Sequence, residues 1–111
     1  MSLDANDLIL FAQVMAAGSF SRAAERTGLP KSTISRRIGQ LEAKLGERLL
    51  QRSTRRLSIT DFGERILDHA KRLLEETEAA TAMALNRQGT PRGLLRVAMP
   101  PDFVELNLTP L

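Results

Sequence analysis

The stretch from Phe20 to Leu45, FSRAAERTGLPKSTISRRIGQLEAKL, most constrains what this chain can fold into. It reads as two helices around a short break. Ser19 can cap the first through its hydroxyl, Phe20 packs back on the preceding helix, and Ala23 and Ala24 are small where two helices approach closely. Gly28 lets the chain turn, because without a Cβ it adopts positive φ freely. Pro30 suits the first turn of the next helix, where no intrahelical N–H partner is required. In that second helix Ile34, Ile38, Leu41 and Leu45 follow at spacings of 4, 3 and 4, one apolar stripe. Lys31, Ser32, Ser35 and Arg36 occupy the opposite side near its start, with Arg37 and Gln40 further round, and Gly46 fits a terminator. A bracing helix, a tight turn, and a helix apolar on one side and rich in donors on the other are the marks of a helix-turn-helix. The second helix of such a unit enters the major groove of DNA.

The flanking sequence completes this unit. Residues 3–17 carry Leu8, Phe11, Ala12 and Met15 at i, i+3, i+4 and i+7, which predicts a helix with Phe11 in its core. Asp4 and Asp7 stand at its favoured N-terminal end and Gly18 at its stop. After Gly46, Leu49 and Leu50 lead into Gln51-Arg52, Ser53-Thr54 can bend, and Arg55 to Ile59 returns. Leu57 and Ile59 then share a strand face, with Arg56 and Ser58 on the other. A two-stranded basic hairpin directly after the second helix is a wing, although Ser-Thr is a weak turn pair.

Thr60 opens a long helical stretch to about residue 88, in which Ile66, Ala70, Leu73, Thr77, Ala80 and Ala84 recur at 4, 3, 4, 3 and 4. With Leu67 and Leu74 widening it, this is a heptad-like seam that thins to alanine and suits the close approach of a second copy. QGTPRG at 88–93 is linker by composition. Leu94 to Met99 starts like a buried strand and stops at a double proline, and a lone strand buries nothing by itself. The expected organisation is a mainly α chain: a winged helix-turn-helix DNA-binding domain at 1–59, a linker and dimerisation helix at 60–88, a hinge at 89–93, and the truncated start of a further domain at 94–111.

Charge distribution supports the same division. Net charge is only +3, yet residues 21–60 hold ten Lys/Arg against three Glu, while residues 61–90 carry four basic and six acidic residues. Positive charge thus collects around the second helix and the wing, where a polyanion would lie. Other classes find little to stand on. There is no cysteine, His69 is the only histidine, and Glu75, Glu76 and Glu78 read as a solvated face. No catalytic residue, metal site or cofactor is therefore expected, and the chain is read as a non-enzyme. The N-terminus lacks the pattern of a signal peptide and no apolar run reaches spanning length, so a soluble cytoplasmic protein away from the membrane is expected.

At the level of whole motifs the chain resembles the N-terminal portion of the LysR-type transcriptional regulators of bacteria. The resemblance runs through LxxFxxVMAAGSFSRAAERTGL at Leu8–Leu29, ISRRIGQLEAKLGERLLQR at Ile34–Arg52 and TRRLSITDFG at Thr54–Gly63. GLLRVAMP from Gly93 is similar to the start of that family's effector-binding domain. The resemblance implies a winged helix-turn-helix, a linker helix that pairs two subunits, and a periplasmic-binding-protein-like domain that senses a small molecule. Full-length members typically form tetramers. It also implies base-edge contacts from the start of the second helix, here Lys31, Ser32, Ser35 and Arg36. The family usually has glutamine followed by proline where this chain has Lys31-Ser32. That change keeps a donor but removes the bidentate adenine option, which favours guanine or phosphate. The PKST and RSTRRLS segments resemble one subgroup of the family.

Role by role, Arg36 is the leading candidate for base reading, since its fork matches guanine O6 and N7, with a phosphate clamp as the alternative. Lys31 suits either role, and Ser35 can donate to base or phosphate. Arg37 contacts phosphate or pairs with the acidic side of the domain. Arg52, Arg55 and Arg56 make the positive patch of the wing, for the backbone or a narrow minor groove. Ile66, Ala70, Leu73, Leu74, Thr77, Ala80 and Ala84 line the pairing seam. Expected partners are double-stranded DNA with a dyad-like operator, a second copy through the long helix, and a small-molecule effector through the further domain. Two alternatives compete: a stand-alone dimeric winged-helix repressor or architectural DNA binder, and a protein–protein dimerisation module that does not bind DNA.

Overall fold

A computed structural model describes residues 2–51 and 56–87 of the chain. The elements are α1 (Ala5–Ala17), α2 (Phe20–Thr27), α3 (Lys31–Leu45), β1 (Leu50–Gln51), β2 (Ser58–Ile59) and α4 (Asp61–Arg87). The chain divides after Glu75 into two units, and the described part of the second is the C-terminal portion of α4. Arg52, Arg55 and the Ser53-Thr54 bend lie outside the described residues, as do the hinge at 89–93 and the segment 94–111.

Helices α1 and α2 begin where a polar side chain can take up free amides, whereas α3 follows Pro30 with no side-chain cap. Asp4 Oδ1 accepts from the Asn6 amide at 2.9 Å, and Ser19 Oγ from the Arg22 amide at 3.0 Å. Between α2 and α3 the turn is built by Thr27 as much as by Gly28. Gly28 holds φ 78°, while the Thr27 hydroxyl donates to Ala23 O at 2.8 Å and accepts from the Leu29 amide at 3.2 Å. Pro30 is extended at φ −60° and ψ 145°, so it stands just ahead of α3, which begins at Lys31.

The core gathers α1, α2 and α3 around Phe11, with Ile34, Ile38 and Leu41 of α3 fully buried. At roughly 1.5–3 kcal/mol per buried aliphatic side chain, those three residues anchor α3 firmly on one face. Helix α1 is buried more widely than its stripe suggests. Leu10, Val14 and Ala17 join Phe11 and Ala12 inside, while Leu8 and Met15 are only partly covered. The physical reason is that α1 packs against both α2 and α3, so two faces of it are enclosed.

The wing pairs antiparallel, Leu50 opposite Ile59 and Gln51 opposite Ser58. Leu50 and Ile59 face the core and Gln51 faces out, as a period of two requires. Thr60 caps α4 by accepting from the Gly63 amide at 2.9 Å, so the helix proper starts at Asp61. Gly63 is buried where the first turn of α4 meets the wing. A Cβ there would collide with the Leu49 carbonyl oxygen and stand 2.7 Å from Ile59 Cγ1. Among the described residues no helix is long and apolar enough to cross a membrane.

Candidate nucleic-acid interface

Helix α3 separates its two tasks by face. Ile34, Ile38 and Leu41 turn inward, and Lys31, Ser32, Ser35, Arg36 and Gln40 are exposed. The four expected base-reading residues thus share the open side of the first turns of one rigid helix. The Lys31 ammonium also donates to Ser21 Oγ on α2 at 3.2 Å, which links the two helices at the surface.

Arg37 takes the second of its two expected roles. Its Nε and Nη2 both reach Asp7 Oδ1 on α1 at 2.8 Å, with the side chains 25% and 10% exposed. The guanidinium is therefore engaged through Nε and Nη2 in holding α1 to α3. Asp7, read from the sequence as a helix-dipole residue, is instead the buried partner in this pair. The signal was thin: the two residues are 30 apart, and nothing in a sequence brings them together.

Of the wing arginines, Arg56 lies among the described residues and is exposed just ahead of β2. The link between the wing and α3 comes from a residue that sequence reasoning missed. Glu42 is 7% exposed, and its Oε2 accepts from the Leu49 and Leu50 amides at 2.8 and 3.1 Å. Its position carried a signal, since it stands four residues after Ile38 and so borders the apolar stripe.

The expected pairing seam divides. Ala70 is fully buried in its own domain, and Ile66, Leu67 and Leu74 pack on that core. Ala70 is thereby removed from any surface a second copy could touch, because α4 must first cover the domain it leaves. Leu73 is half-buried, and Thr77, Ala80 and Ala84 are exposed. Met83, unremarked in the sequence, is 65% exposed three residues beyond Ala80, on the same side of the helix.

A helix glued on one face and donor-rich on the other, with a two-stranded wing beside it, defines a winged helix-turn-helix of the DNA-binding kind. The model described as "Bacterial regulatory helix-turn-helix protein, lysR family" matches residues 5–64, and the chain belongs to that family. It is 44% identical over all 111 residues to the HTH-type transcriptional regulator CrgA of Neisseria meningitidis serogroup C, of which it covers 37%. The full-length structure of AphB, a virulence activator of Vibrio cholerae, aligns with a TM-score of 0.69 and 38% identity, covering 74% of this chain and 28% of that one. The BenM DBD bound to benA site 1 DNA aligns with a TM-score of 0.65 and 28% identity, covering 78% of this chain and 97% of that one. The chain spans about a third of the length of regulators such as these, from 29% to 37% for three of them. Those relatives are named as transcriptional regulators and not as enzymes.

Proposed function

We propose that this chain is the DNA-reading end of a longer, small-molecule-responsive transcription regulator of the cytoplasm. In this reading it binds a dyad-like duplex operator as a dimer. Arg36 addresses guanine, Lys31, Ser32 and Ser35 contact bases or phosphates beside it, and Arg56 with Arg52 and Arg55 holds the flank. The observation that carries the reading is the division of α3, apolar side buried and Lys31, Ser32, Ser35 and Arg36 exposed together. A relative of the same fold, the BenM DBD in complex with benA site 1 DNA, supports it. Pairing through the exposed side of α4 at Thr77, Ala80, Met83 and Ala84 would set two α3 helices about one helical turn of DNA, or a multiple, apart. Residues 94–111 would begin the effector-sensing domain, through which full-length tetramers would form.

A random-duplex selection, followed by anisotropy titrations of the winning and scrambled duplexes at several salt concentrations, tests the reading. The expected result is a dyad-related pair of half-sites bound far more tightly than the scrambled control. Equal affinity for both with a steep salt slope would reduce the protein to a phosphate neutraliser. Substituting Arg36 and Arg56 with Ala should abolish binding while leaving self-association unchanged.

A further inference from the structure

Among the described residues the wing's ladder is two residue pairs, and a short two-stranded hairpin is marginally stable by itself. Its orientation must come from its base, and that base is gripped from both sides. From the α3 side, Glu42 Oε2 accepts from the Leu49 and Leu50 amides. From the α4 side, the Leu49 carbonyl accepts from the Thr60 amide at 3.0 Å, and the Thr60 hydroxyl donates to Arg48 O at 2.7 Å. A carboxylate that is 7% exposed is costly to bury, and two consecutive backbone donors offset that cost only in one geometry. Glu42 also rides on the reading helix, six residues beyond Arg36 and on its buried side. A shift in its bonds to the Leu49 and Leu50 amides would move the base of the wing against the exposed start of α3.

We propose that Glu42 is a positioning residue for DNA binding: through the Leu49 and Leu50 amides it locks the wing to α3, so that Arg56 holds the flank while Arg36 addresses the bases. The proposal rests on the functional reading given above and adds to it a residue that need not touch DNA. Its signature is coupling. Glu42 acts on affinity through the wing, so its effect should shrink once the wing contact is gone.

The test is a double-mutant cycle in the whole chain, with anisotropy on the selected duplex at several salt concentrations and a temperature where every variant is folded. Glu42→Met keeps the side-chain length and removes the acceptors; Glu42→Gln keeps one acceptor oxygen. Glu42→Met should weaken binding about tenfold and flatten the salt slope, as loss of phosphate contacts requires. On an Arg56→Ala background the same substitution should cost about threefold or less, and Glu42→Gln should recover most of the affinity. Effects of Glu42→Met and Arg56→Ala that multiply, with the salt slope unchanged, would overturn the proposal and leave Glu42 as a stabiliser of the fold alone. If the Met variant does not fold, the Gln variant carries the cycle, and a smaller coupling of the same sign is then required. Arg36→Ala is the separate control: it removes the preference for the selected duplex if the functional reading holds, whatever Glu42 does. A failure of that reading shows there, and a failure of the Glu42 proposal shows only in the cycle.

Discussion

The two portions of α4 share one helix and one apolar period, but they live in different surroundings. Up to Leu74 the helix is part of the domain: Gly63 and Ala70 are buried, and Phe62, Ile66, Leu67 and Leu74 lie on the core. From Glu75 to Arg87 every residue is exposed, including Met83 at 65% and Leu85 at 57%. A stretch of that length is marginal as a helix in water without tertiary contacts. It is helped by Ala79, Ala80, Ala82 and Ala84, since alanine has the highest helix propensity. Apolar residues spaced along a helix therefore say which side chains share a face, and leave open what covers that face. Here the first portion is covered by its own chain, and the second offers its small and apolar side chains outward.

That contrast is open to direct attack. The largest effect should come from Ala70→Asp, which buries an uncompensated charge. A loss of about 3–5 kcal/mol is expected, enough to unfold a small domain, and circular dichroism at ambient temperature would show it. Ala84→Asp, the same change in the exposed portion, should leave the spectrum folded.

Gly63→Ala comes next. The added Cβ meets the Leu49 carbonyl, which is backbone and cannot swing aside. Overpacking of this kind costs about 1–3 kcal/mol, read as a fall in the thermal midpoint of about 4–8 °C per kcal/mol for a domain of this size. A midpoint that does not move would mean that α4 is not seated on the wing as described.

Thr60→Ala should be milder. It removes the cap on the Gly63 amide and the hydroxyl bond to Arg48 O, for a loss of about 1 kcal/mol by the same measurement.

The smallest effect on stability belongs to Ala80→Glu combined with Met83→Glu. Domain unfolding should change by no more than about 0.5 kcal/mol, while sedimentation should show self-association weakened. Association that persists with both charges in place would remove this surface from the pairing we propose.

Much of the division of α3 into a buried and an exposed side is legible in the sequence. The spacing of Ile34, Ile38 and Leu41 says which side of α3 is buried, and by elimination places Lys31, Ser32, Ser35 and Arg36 outside. The Ser19 cap, the Gly28 turn and the opening of the long helix beside Thr60 follow from local chemistry in the same way. What was not legible depends on neighbours. A single stripe on α1 implies one packing partner, whereas Leu10 and Val14 are inside because α1 has two. Arg37 had two plausible partners in the sequence, and only the approach of α1 to α3 gives it Asp7.

From the sequence alone come the order and approximate extent of the helices, the inward side of α3, the presence of a wing and the family. All of these rest on backbone preferences and on periods of 3.6 and 2, which act over a few residues. Only the tertiary structure decided that Arg37 braces α1, that Glu42 ties the wing to α3, and that Ala70 belongs to its own domain. These depend on which elements come within about 3 Å of one another. Residues distant in the chain meet only after the core has closed, and their charges and hydroxyls take roles that no local pattern encodes.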